Sequence, residues 1–145
     1  MQHRKMIGTL AALGAGLMLS VMAAAAGTAM QKAMDEGADR LTSDEIANMF
    51  TGKTATFISA SGEKKFLVHY GTDNSIHGKL VGGGWKGEGF YGVANDDQIC
   101  LSWDGQDKGR LRCLNVVVVD GEAHKFRADG SLMGRIVAWE DGRAF

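Results

Sequence analysis

From Lys53 onward, glycine- and aspartate-rich turns interrupt this chain every few residues, and that spacing limits it to one kind of sheet. Thr54–Ala60, Lys65–Tyr70, Ile76–Val81 and Trp85–Val93 read as strands, followed by Gln98–Trp103, Arg110–Val119, Ala123–Arg127 and Leu132–Trp139. They are rich in β-branched and aromatic residues, and several alternate apolar with polar side chains. The segments between them are too short for parallel crossovers, so about eight strands must run as an antiparallel meander. Asp120-Gly121 marks a two-residue hairpin. Glycines inside the strands, Gly78, Gly87, Gly89, Gly92 and Gly134, suit the bulges and sharp bends of a closed wall better than a flat sheet. The expected fold is mainly β, a small barrel with a two-sheet sandwich as runner-up.

One helix precedes the strands. Thr42 and Glu45 have capping-box spacing, Ile46, Met49 and Phe50 then fall on one face, and Gly52 ends the run. The polar segment 30–40 reads as a flexible terminal stretch or loose helix. The domain is expected at 41–145.

The start of the chain gives an address. Met1–Lys5 is basic, Ile7–Val21 carries no charge, and a run of small residues follows. These are the three parts of a secretory signal, assigned to residues 1–29, with cleavage after Ala26 or Ala29. The alternative, a retained anchor, is diluted by Gly8, Gly14 and Gly16. The mature protein is therefore expected to be periplasmic or secreted, with no stable membrane insertion once the signal is gone. Removing 1–29 takes Arg4 and Lys5 and no acid, leaving fourteen basic residues against seventeen acidic ones. That weak negative balance argues against a nucleic-acid partner.

Cys100 and Cys113 are the two cysteines. In an oxidising compartment they read as one disulfide. A hairpin that sets Trp103 opposite Arg110 also sets Cys100 opposite Cys113, across neighbouring strands.

Motifs for chemistry are weak. Gly87–Gly92 spells G-x-G-x-x-G, but on a strand rather than at a helix start. His69, His77 and His124 lack ligand spacing, and the acidic turns at Asp73, Asp96-Asp97 and Asp104–Asp107 lack the closing glutamate of a calcium loop. No serine lies in a nucleophile elbow. No metal, cofactor or catalytic residue is assigned. The aromatic residues are spread along the strands and fit a barrel core or a ligand-binding interior. Tyr70, Trp85, Tyr91, Trp103 and Arg110 are the candidate ligand or partner contacts, with Trp103 and Arg110 placed for a cation–π pair.

An ordered set of landmarks runs through the domain: Leu41, Glu45-Ile46, Gly52-Lys53-Thr54, Phe66–Asp73, Gly84-Trp85, Cys100 with Trp103, Cys113, and Asp120-Gly121. In this order the chain resembles a family of short exported alphaproteobacterial proteins, domain of unknown function 995. It departs at Asp73-Asn74, where the family pattern leads one to expect Asp-Gly. The resemblance implies export, a β-rich fold and a cysteine pair, and it implies no activity. The leading expectation is an exported non-catalytic binding protein, inhibitor-like toward an envelope protein. A carrier of a small apolar ligand and a small envelope hydrolase are the alternatives.

Overall fold

The computed structural model describes residues 27–145. The signal at 1–29, and the anchor alternative to it, therefore lie outside the described residues apart from the last three positions. Eight antiparallel strands close into a barrel: β2 (Lys53–Ser59), β3 (Lys65–Tyr70), β4 (Ser75–Leu80), β5 (Lys86–Ala94), β6 (Gln98–Trp103), β7 (Arg112–Val119), β8 (Glu122–Phe126) and β9 (Leu132–Asp141). Each strand pairs with the next, and β9 returns to β2, so the meander seals its own edges. A two-residue strand, β1 (Asp39–Arg40), adds to β7 at Val117 and Val118. The expected barrel holds, and the sandwich does not.

Short turns set the register. Asp120 and Gly121 both have positive φ, 49° and 82°, and they join Val119 directly to Glu122 across the β7–β8 ladder. That left-handed pair matches the twist of the strands it links. Cys100 and Cys113 are partners in the β6–β7 register and are bonded to each other. Beyond Leu101↔Arg112 the ladder gives way to a 3-10 turn, Asp107–Gly109.

Two helices precede the barrel. Segment 30–40, read as a flexible stretch or loose helix, carries α1 (Ala29–Asp35) and then β1, so the helix alternative is the one that forms. Its order has a local cause. The Thr28 hydroxyl accepts from Gln31 N–H at 3.1 Å and caps α1, while Met30 N–H donates to the Gly130 carbonyl at 3.0 Å. Leu41 N–H then bonds to the Val116 carbonyl at 2.9 Å, continuing the attachment begun by β1.

Helix α2 (Ser43–Phe50) is the expected one. Its capping box is complete, with Glu45 Oε2 accepting from Thr42 N–H at 2.8 Å. Asp97 Oδ1 also accepts from Ser43 N–H at 2.7 Å, which pins the helix start to the β5–β6 turn. Ile46 and Phe50, both fully buried, thereby enter one end of the barrel. Phe50 meets Tyr70 and Trp139 edge-on, with ring centroids 5.0 Å apart in each pair. Tyr91 closes the same layer: its hydroxyl donates to the Gly71 carbonyl at 2.8 Å and its ring stands 5.2 Å from that of Tyr70.

Candidate ligand cavity

Register determines which side chains look inward. Phe57, Phe66 and Leu80 stand opposite one another on β2, β3 and β4, and so do Val68, Gly78 and Gly87 on β3, β4 and β5. Two of the positions in this second row have no side chain. Their place is taken by the indoles of Trp85 and Trp103, which pack edge-on at 5.3 Å and lie against the glycine backbone. A methyl group on Gly78 would stand 2.9 Å from Cη2 of each indole. The tryptophans thus line the wall of the barrel and leave its middle open.

What remains is a cavity of about 360 Å³ at the end opposite α2. Phe57, Phe66, Val68 and Leu101 form its sides, and Leu80, Trp85, Trp103, Met133, Lys64, Gln106 and Arg112 surround its mouth. The volume lies at the small end of the range for ligand pockets, which are typically about 300–1,000 Å³ and mostly apolar.

The floor is unlike the walls. Lys125, on β8, is 3% exposed and extends its side chain toward the helix plug. Its ammonium donates to the Tyr70 hydroxyl at 2.5 Å. The rings of Tyr70, Phe50 and Phe57 surround it at 5.0, 5.3 and 5.5 Å from their centroids. Among the described residues it forms no ion pair with a carboxylate. Burial alone pushes the Lys125 ammonium down to about 7, and the same burial drives the Tyr70 phenol far above its ordinary range. Lys64, Arg112 and Lys125 are the charged residues of the lining, which contains no aspartate or glutamate.

Of the five residues singled out in the sequence, Tyr70, Trp85 and Trp103 line this cavity. Tyr91 is core, buried in the layer beneath the floor. Arg110 is corrected only in its expected cation–π pairing with Trp103. It is exposed, its Nε donates to the Asp107 carbonyl at 3.1 Å, and it makes no cation–π contact with Trp103, which packs on Trp85 instead. The 3-10 turn ends the β6–β7 ladder before Trp103 and Arg110 could become partners. Arg112, two residues on, is the arginine at the mouth.

Lys125 escaped the sequence reading for a physical reason. In Ala-His-Lys-Phe, alternation allows either His124 with Phe126 or Ala123 with Lys125 to face inward. Hydrophobicity favours the first choice. The barrel takes the second, and Phe126 is buried apart from the barrel core.

The histidines stand on the outer surface. His69 and His77 are cross-strand partners with rings stacked at 6.5 Å, and His69 Nδ1 lies 3.3 Å from Thr54 Oγ1. Burial, with help from Arg143 and His77, lowers the His69 pKa. His124 is 3.8 Å from Glu122, whose carboxylate is already bonded by Arg135 at 2.7 Å. Among the described residues no group of three or more histidine, cysteine or acidic side chains is placed to hold a metal. Of the acidic turns, Asp97 caps α2 through Ser43 and Asp107 pairs with Arg112, whereas Asp73, like Asp129, serves its own turn. Asp73 accepts from Ser75 N–H at 3.0 Å and Asp129 from Ser131 N–H at 2.9 Å, so the backbone donors occupy them. No helix among the described residues is long and apolar enough to cross a membrane. No protein-family model, curated protein or solved structure matches the chain.

Proposed function

We propose that this protein is an exported, non-catalytic binding protein that holds one small apolar ligand inside its barrel. The cavity of about 360 Å³ between the tryptophan-lined mouth and the α2 plug carries this reading. A filled interior would have favoured a module that acts through its outer surface. The hollow half of the barrel favours the carrier alternative instead. Export accounts for the signal-like start of the chain, and an oxidising compartment suits the Cys100–Cys113 bond. The resemblance of its landmark order to domain of unknown function 995 is compatible with this role and adds no ligand to it.

The test is equilibrium binding of N-phenyl-1-naphthylamine, a neutral apolar fluorophore, to the purified mature protein. Saturable binding at one site, with quenching of Trp85 and Trp103 emission, is expected. Val68→Trp, which fills the cavity from its side wall, should abolish binding while the barrel still melts cooperatively. Absence of saturable binding by the folded wild-type protein would overturn the proposal.

A further inference from the structure

We propose that Lys125 and Tyr70 form a recognition pair for a carboxylate, so that the ligand is an amphiphilic acid bound head-down with its apolar body in the cavity. This inference rests on the carrier reading above. It begins with a donor count. A lysine ammonium has three N–H donors and no acceptor. Among the described residues Lys125 places one of them, on Tyr70 Oη, and aromatic faces surround the rest. Buried charges in folded proteins are normally paired and fully hydrogen-bonded, because an unpaired one is costly. An acceptor with negative charge would satisfy the remaining donors, and Lys125 lines the cavity from which such a group could reach them.

Tyr70 completes the geometry. Its oxygen accepts from Lys125, so its own O–H is free to donate. A carboxylate has two oxygens and accepts both an N–H and an O–H. An alcohol could accept from the amine but would bring no compensating charge.

The mouth also carries cations, yet it is a poorer seat for the head group. Arg112 is already bonded to Asp107 at 2.5 Å and half exposed, and Lys64 is exposed. Those charges attract an anion toward the opening and are screened by water once it arrives. The deep amine is shielded from water. It is neutral at mildly alkaline pH because burial alone lowers its pKa to about 7. A carboxylate bound beside it restores the charged form, so binding above neutrality takes up one proton. The groups facing the amine are Phe50 from α2, Phe57 from β2 and Tyr70 from β3. Lys64 and Arg112 stand farther out at the mouth.

The test is isothermal titration calorimetry with decanoate and decan-1-ol, at pH 6.5 and pH 8.5, in two buffers of different ionisation enthalpy. At pH 6.5 wild-type protein should prefer the acid by about tenfold or more, as a charge-assisted contact implies. At pH 8.5 decanoate should take up close to one proton and decan-1-ol none. Lys125→Met should keep decan-1-ol binding and lose both the preference and the proton uptake. Tyr70→Phe should weaken the preference, and Arg112→Gln should lower it less than Lys125→Met does. The wild-type proton uptake needs no variant to fold. Equal affinity for the two ligands, with no proton uptake, would overturn the carboxylate site and leave the carrier reading standing. A preference that survives in Lys125→Met and disappears in Arg112→Gln would place the head group at the mouth and overturn it too. Failure of both ligands to bind would defeat the carrier reading, and this one with it.

Discussion

Replacing Lys125 by methionine should make the protein more stable, and the size of the gain should depend on pH in a stated direction. The ammonium is held at about 7 against an ordinary 10.5. At ~1.4 kcal/mol per pH unit, the folded state carries a penalty of about 5 kcal/mol wherever the amine is charged in both states. Methionine removes that penalty and fits a similar volume. It also strands the buried Tyr70 hydroxyl, which loses its partner at a cost of about 1–3 kcal/mol. The net gain at pH 6 should be about 2–4 kcal/mol, or roughly 10 °C in Tm for a domain of this size. Between pH 7 and 10.5 the unfolded chain keeps the lysine proton and the folded chain has lost it. Raising the pH through that interval therefore favours the wild-type fold, and the advantage of the variant shrinks. Two other groups bend the wild-type curve. His69, held below its usual value by burial, makes stability rise with pH below 6.5 and then level off. Tyr70, held above 10, makes stability fall again only beyond that pH. Both cancel, to a first approximation, in the difference between wild type and variant. Urea denaturation at half-unit steps from pH 5.5 to 9.5 measures that difference. Parallel curves for the two proteins, or a variant less stable than wild type at pH 6, would refute the claim that the amine is buried without a counter-charge.

Three further outcomes follow from other parts of the fold. Reducing the Cys100–Cys113 bond, or replacing both cysteines by alanine, should cost about 3 kcal/mol by loop-closure entropy; identical melting with and without reductant would contradict a stabilising role. Gly78→Ala should push the Trp85 and Trp103 indoles into the cavity, weakening N-phenyl-1-naphthylamine binding and shifting tryptophan emission. Unaltered affinity would mean that the rings are not held by the glycine wall. A chain beginning at Gly27 should be more stable than one beginning at Met30 by about 1 kcal/mol, because the shorter chain lacks the Thr28 cap of α1. Equal unfolding midpoints for the two chains would disprove this.

Where local chemistry decides structure, the sequence was readable. The capping box at Thr42 and Glu45, the Asp120-Gly121 hairpin and the Cys100–Cys113 pairing each depend on residues close together along the chain, and each stands as expected. Closure of the barrel was partly legible, because short connections leave a meander few other ways to hide its edges. The floor of the cavity was not legible. It joins β8 to β3 and α2, elements far apart in sequence, and its central residue is a lysine, the type least expected inside. The same limit produced the expected pairing of Arg110 with Trp103. Extending the β6–β7 ladder toward the turn is the natural extrapolation, and a 3-10 turn with Asp107 and Lys108 at positive φ interrupts it.

The barrel is hollow at one end and packed at the other, and that asymmetry constrains how the proposed ligand would lie. Near α2 the inward positions carry large side chains, Tyr70, Tyr91, Ile99 and Leu114, and Ile46 and Phe50 fill what they leave. Toward the mouth the inward positions of β4 and β5 are Gly78 and Gly87, so the wall there is thin. A molecule can therefore enter from the mouth only, and it stops where the packed layer begins. Lys125 sits at that boundary. An amphiphile entering apolar end first would press its methyl terminus against the ammonium and leave its head among Lys64, Gln106 and Arg112. The reverse orientation pairs the buried charge and covers the tail with Phe66, Trp85 and Trp103. Only the second orientation gives the buried amine a counter-charge, so under the proposed function the polarity of the cavity, rather than its shape, would fix the direction of binding.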